Sequence, residues 1–157
     1  MAKFDIVCFG SAVVDAFVVT DAVEKNGKVM INSGSKNLMK NLYFDIGGGG
    51  TNTAVAFSRL GLKTGYIGKV GNDKNGENIF KMLKREKVKF LGRQVKGDTN
   101  GFSFILVTKK RNRSIFTYKG INNHIGKRDV RKFKTKWLYL SSLMGESWQT
   151  QLKLAKK

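Results

Sequence analysis

DIGGGGTNTAVAFSRLGL, residues 45–62, sets four consecutive glycines directly against a helix-like apolar run. Ala54, Phe57 and Leu60 fall on one face of that run, with Val55 and Ala56 beside it, and Gly61 is a natural C-terminal stop. The spacing predicts a helix beginning near Thr51–Thr53. Gly47–Gly50 can take positive φ and let a ligand approach the main chain. The first N–H groups of a helix carry partial positive charge and lack partners within the helix, which suits an anion or a hydroxyl-rich ligand. Asn52 adds an amide suited to a sugar hydroxyl. A glycine-rich turn leading into a capped helix, with no ligand, is the competing reading.

Two common phosphate motifs are excluded. A Walker A loop needs Gly-Lys-Ser/Thr, but the Gly-Lys pairs here precede Val29, Val70 and Arg128. The dinucleotide fingerprint G-x-G-x-x-G fails from Gly47, where the last position is Asn52, and from Gly48, where it is Thr53.

Outward from the glycines, KFDIVCFGS reads as a buried strand, and VVDAFVV as an extended run interrupted by Asp15. A carboxylate there can accept two hydroxyl hydrogen bonds from a polyol, or can simply be a solvated strand end. Residues 24–50 carry turn chemistry at Asn26-Gly27 and Ser33-Gly34. KTGYIGKVG reads as one short strand. NDKNGENIFKMLKREKV reads as a second helix with Ile79, Met82 and Leu83 as its stripe, and Asp73 as a cap or turn residue. Residues 101–120 read as a hairpin turning near Arg111-Asn112. KWLYLSSLMG is a further strand, and ESWQTQLKLAKK starts a helix. Strands buried in continuous apolar runs and alternating with helices indicate an α/β core with inserted β-strands.

The 157 residues suffice for one ordinary domain. Cys8 is the sole cysteine and His124 the sole histidine, which excludes a disulfide framework and a Cys- or His-based metal cluster within the chain. Cys8 reads as a small buried hydrophobe. No membrane-length apolar run occurs and no signal-peptide h-region is recognised, so a cytoplasmic setting and no membrane partner are expected. The Asn112-Arg113-Ser114 glycosylation pattern carries no weight in that setting.

The net charge is +19, and it is uneven: residues 1–78 contribute +2 and residues 79–157 contribute +17. Such a half can attract a polyanion. A lysine-rich solvated surface is the plainer account, because the basic residues are scattered and accompany no zinc finger or recognition helix. Nucleic acid is therefore not expected as the partner.

Taken together, FGSAVVD, GGGGTNTAVAFSRLGLKTGYIGKVGNDKNGENI, GFSFILVTKKRNRSIFTYKGINN and WLYLSSLMGES resemble the N-terminal part of a PfkB/ribokinase family carbohydrate kinase. The glycine run with Asn-x-Ala, Arg-Leu-Gly and Gly-x-Val-Gly-x-Asp-x-x-Gly matches that family's first signature. The resemblance runs from about residue 4 to the end.

It implies a three-layer α/β/α ribokinase-like sandwich with a small β-sheet lid drawn from residues of about 16–44 and 101–120. It implies ATP-dependent phosphoryl transfer to a hydroxymethyl group of a sugar or nucleoside. Asp15 matches the acid that binds sugar hydroxyls, and Gly47, Gly48 and Asn52 match the substrate-binding signature. Phe104, Phe116 and Tyr118 are candidates to close over the substrate from lid strands, with packing at the sheet edge an equal reading. A homodimer through the lid is a further implied partner.

The chain departs from ribokinases at Val13, where Asn is common, and at Gly49, where Lys is common, so fructokinase-like and adenosine-kinase-like specificities stay open. The second signature, Asp-Thr-x-Gly-Ala-Gly-Asp, does not occur; GDTNG at 97–101 shares only its first letters. On the resemblance, residues 1–157 are a partial kinase domain. No catalytic residue is assigned in it, and the main ATP and Mg²⁺ residues and the base lie elsewhere. The isolated chain is expected to be inactive, and marginally stable or aggregation-prone. A polyanion-binding module and a non-catalytic, oligomerising half-kinase are the alternatives.

Overall fold

The structure, a computed structural model, describes residues 3–156. In chain order the strands and helices are β1 (Lys3–Phe9), β2 (Val13–Val19), β3 (Val23–Lys25), β4 (Lys28–Met30), β5 (Asn41–Gly47) and α1 (Gly49–Arg59). They continue as β6 (Thr64–Ile67), β7 (Lys69–Gly71), α2 (Lys74–Arg85), β8 (Lys89–Phe90), β9 (Arg93–Val95) and β10 (Gly101–Val107). The last are β11 (Arg113–Tyr118), β12 (Lys134–Leu140) and α3 (Gly145–Ala155).

A parallel sheet of order β12-β1-β6-β8 forms the middle layer. Its apolar strands are covered on both sides, as a parallel sheet requires. Ile6, Cys8 and Tyr66 pack with Ala54 of α1 and with Ile79, Met82 and Leu83 of α2. Val7, Phe9 and Ile67 pack on the other side with Ile125, Leu143 and Leu154 of α3. The result is the three-layer α/β/α arrangement expected from sequence. Burying each of these large aliphatic side chains contributes about 1.5–3 kcal/mol before entropy is counted.

A second sheet has order β11-β10-β2-β5, in which β2 runs parallel to β10 and antiparallel to β5. The expected segments 16–44 and 101–120 contribute to it, and its strands extend to Val13 and Gly47. One face of its inner end, at Val14, Ile46 and Phe102, packs onto the α2 side of the main core. β2 follows β1 after only three residues, so the position of every β2 side chain is tied to the core.

Local chemistry sets the helix ends. α1 ends in paired bonds from Gly61 N–H to Ser58 O (2.9 Å) and from Leu62 N–H to Phe57 O (3.1 Å), with Gly61 at φ 86°. This is the glycine-terminated motif read from sequence. Leu60 sits at that cap and is 76% exposed, so it does not extend the buried face of Ala54. α2 starts at Asp73, whose Oδ1 accepts from Gly76 N–H at 2.8 Å, and buries the expected Ile79, Met82 and Leu83.

KTGYIGKVG is two strands rather than one. The chain breaks at Gly68, after which β7 leaves the main sheet and pairs with β9. The close approach of Gly92 to the Gly68 carbonyl, and the Arg93 N–H to Gly68 O bond (3.2 Å), set that break.

Candidate functional site

The second sheet places Asp15 at its centre. Asp15 lies opposite Asp45 on β5 and beside Ser103 on β10, and Ser103 lies opposite Thr117 on β11. Because side chains alternate along a strand, these four share one face and form a polar row across all four strands. The neighbouring row on the same face is apolar: Tyr43, Phe17, Ile105 and Ile115. The Phe17 and Tyr43 rings stack there with centroids 4.7 Å apart. The row on the other side is small: Gly47, Val13 and Gly101. Carboxylates, hydroxyls and an apolar ridge thus stand beside a floor with little side-chain bulk.

Asp15 is half-buried, and burial pushes its carboxyl above the usual carboxylate range. A hydrogen bond from Ser103 opposes that rise, and the facing Asp45 adds to it. Desolvation and like charge both disfavour the ionised form.

The glycines are explained by close approach. A Cβ on Gly47 would collide with Oδ2 of Asp15, and one on Gly48 with the carbonyl oxygen of Ser11. Gly48 also sits at φ 107°, a conformation open to glycine alone. A Cβ on Gly50 would strike the backbone of Gly10. The run therefore brings α1 against the end of β1 while leaving room for Asp15.

The helix begins earlier than the spacing predicted, inside the glycine run at Gly49. Its first amides are not open to an anion. Gly49 N–H donates to Ser11 Oγ (3.2 Å), and the Gly50 and Thr51 N–H groups both donate to Ser11 O (3.1 and 3.3 Å). Ser11 caps the helix from 38 residues upstream, a partner the local sequence could not reveal. Asp15, Gly47 and Gly48 lie together where β2, β5 and the start of α1 meet, and Asn52 is exposed one helical turn further along α1.

Phe104, Phe116 and Tyr118 do not join them. Phe104 and Phe116 are opposite one another with centroids 6.1 Å apart, one position out of phase with Ser103 and Thr117. They and Tyr118 project from the face of the sheet opposite Asp15, where Phe116 and Tyr118 are 64% and 58% exposed. The strands themselves were legible in the sequence; the face was not, because it depends on register.

Asp45, Ser103, Ser11 and Asn122 escaped the sequence reading as site residues. Asn122 is fully buried and brackets the β1–β2 connection, accepting from Ala12 N–H (3.0 Å) and donating to Ala12 O (2.9 Å). The only available signal was its occurrence in the GINN segment after the hairpin. Cys8 is fully buried, and burial pushes its thiol up to about 11, which agrees with an inert hydrophobe. Among the described residues, no group of three or more His, Cys, Asp or Glu is arranged to hold a metal ion. No helix among them is long and apolar enough to cross a membrane.

A doubly covered parallel sheet carrying a second β-sheet with an acid at its centre defines a ribokinase-like α/β protein. The pfkB family carbohydrate kinase pattern matches residues 3–157, and the chain belongs to that family. It is 34% identical over 119 residues to the 5-dehydro-2-deoxygluconokinase of Clostridium perfringens, covering 74% of this chain and 32% of that protein. It is 30% identical over 121 residues to the ribokinase of Bacillus subtilis, covering 77% of this chain and 39% of the relative.

Among solved structures, the ribokinase from Giardia lamblia superposes with a TM-score of 0.78 at 19% identity, over 97% of this chain and 46% of that one. The Methanocaldococcus jannaschii nucleoside kinase gives 0.72 at 20%, over 100% and 49%. At these identities the structures speak for the fold. The chain spans about a third of the length of the curated relatives it matches.

Proposed function

We propose that this chain is the acceptor-binding part of an ATP-dependent sugar or nucleoside kinase. The observation that carries the reading is Asp15, half-buried at the centre of a polar row, with Gly47 cleared of side-chain bulk beside it. Family membership supplies the reaction class, phosphoryl transfer to a sugar hydroxymethyl group.

In this reading Asp15 and Asn52 orient the acceptor, with the carboxylate taking hydrogen bonds from two hydroxyls. Gly47 and Gly48 let the acceptor lie close to the backbone. The sheet built from β2, β5, β10 and β11 acts as the lid and excludes water, and orientation with desolvation is what such residues contribute to rate. The two kinds of relative differ in acceptor charge, one named for a neutral sugar and one for a sugar acid.

The start of α1 does not fit a phosphate, because its first amides are taken by Ser11. The catalytic base, the ATP contacts and the Mg²⁺ ligands are assigned to polypeptide other than these 157 residues, and the chain alone is assigned no turnover. A cytoplasmic location and a homodimer through the exposed lid face, where Phe44 and Phe116 lie, belong to the same reading. No membrane or nucleic-acid partner is assigned.

The test is to join the chain to the remaining part of the Bacillus subtilis ribokinase and compare it with its Asp15→Ala form. Losing hydrogen bonds to a charged group should raise the sugar KM by about 10–100-fold. Unchanged KM and kcat would remove the assignment.

A further inference from the structure

Asp45 has no part in the reading above, yet it faces Asp15 directly. The two are opposite partners on adjacent antiparallel strands, so their Cβ atoms lie about 4.5–5.5 Å apart. Like charges placed this way destabilise a sheet. In a chain with 30 Lys and Arg against 11 Asp and Glu, a compensating cation would be easy to supply. Among the described residues, neither carboxylate is in an ion pair. Asp45 Oδ1 accepts from Ile46 N–H at 2.7 Å, which holds the side chain beside its own strand. The donors in their row are hydroxyls, Ser103 and Thr117, and the next row is apolar.

We infer that Asp45 is a specificity-determining residue of the acceptor site: facing Asp15, it admits neutral polyhydroxyl acceptors and rejects sugar acids. This rests on the acceptor-site reading of Asp15. A neutral sugar brings hydroxyl donors to both carboxylates and relieves their unpaired state. A sugar acid brings a third negative charge within a few ångströms of the other two. Lys81 and Arg85 of α2 line a hollow together with Asp45, but that hollow also takes in Val14, Phe44 and Ile46 from the face turned away from Asp15, and neither cation is ion-paired with Asp45. The more distant positive charges are screened over about 8 Å at physiological salt, while the two carboxylates touch the ligand. A unit charge about 6 Å away, between water-like and surface-like dielectric, is worth about tenfold in affinity.

The experiment is an amide NMR titration of the chain joined to the remaining part of the Bacillus subtilis ribokinase, with D-ribose, D-fructose and D-gluconate, read at the β2 and β5 resonances. Wild type should bind the neutral sugars and take gluconate at least about tenfold more weakly. Asp45→Asn and Asp45→Ser should raise the gluconate-to-ribose affinity ratio by about tenfold. Both variants relieve repulsion at an exposed position, and their dispersed amide spectra report folding. Equal affinity of wild type for gluconate and ribose, or an unchanged ratio in both variants, overturns the inference. Asp15→Asn is the separate control. If neutral sugars fail to bind wild type, or bind this variant equally well, the acceptor-site reading itself falls. An Asp15 effect with an unchanged Asp45 ratio sinks the specificity role alone.

Discussion

The carboxylate of Asp15 occupies the space into which a side chain on Gly47 would project. The glycine run is therefore coupled to the acid through excluded volume. Gly47→Ala must displace the carboxylate or the β5 backbone, and overpacking of this kind costs about 1–3 kcal/mol. The expected outcome is a lower thermal midpoint together with weaker sugar binding. Binding calorimetry on a variant that melts normally and binds normally would contradict the coupling.

Asp15 also carries a pH signature. Its folded-state carboxyl is raised above the ordinary value of 3.8, first by burial and then by Asp45. A raised acid favours folding fully below 3.8 and loses that contribution as pH rises through the folded value. Asp15→Asn should therefore melt at a higher temperature than wild type at pH 7, with the gap closing as pH falls toward 3.8. A gap that widens in acid would have the wrong sign.

Ser11 is predicted to matter as a cap. Ser11→Ala removes the Oγ acceptor of Gly49 N–H and leaves the backbone bonds to Gly50 and Thr51 in place. The loss should be about 1 kcal/mol, typical of a helix cap, measured by urea denaturation. Ser11→Asp should restore much of it, since a carboxylate also accepts there and suits the positive end of the helix.

Glu86 joins α1 to the end of α2 by accepting from Arg59 at 2.8 and 2.9 Å. The Arg59 hydrogen bond holds its carboxyl down at about 2, below the ordinary 4.5. A lowered acid stabilises above 4.5 and loses that contribution as pH falls toward 2. Glu86→Gln should lower the melting temperature at pH 7 and make no difference near pH 2, followed by circular dichroism.

The β12 edge predicts behaviour in solution. Among the described residues β12 pairs only with β1, and Trp137 on it is 72% exposed. An apolar open edge invites strand pairing between copies. Trp137→Lys should reduce self-association of the 157-residue chain in light scattering. A wild-type chain that is monomeric, with a sharp reversible melt, would count against the expected instability.

Local sequence determined the α/β class, the Ala54–Phe57 part of the α1 face, the α2 stripe, the Gly61 stop and the Asp73 cap, because each depends on residues within one or two turns. Leu60, expected on the α1 face, is exposed at the cap instead. Asp15, Gly47, Gly48 and Asn52 could be named because their order along the chain carries the family signature. Tertiary structure decided what those residues face. Strand register put Asp45 and Ser103 beside Asp15 and turned Phe104, Phe116 and Tyr118 to the opposite face, since a shift of one residue reverses every side chain in a strand. It also brought Ser11 to the α1 amides that local sequence left unpaired, and Asn122 to Ala12 across 110 residues. Local sequence sets dihedral preferences and periodicity; only closing the sheets sets which distant polar groups meet.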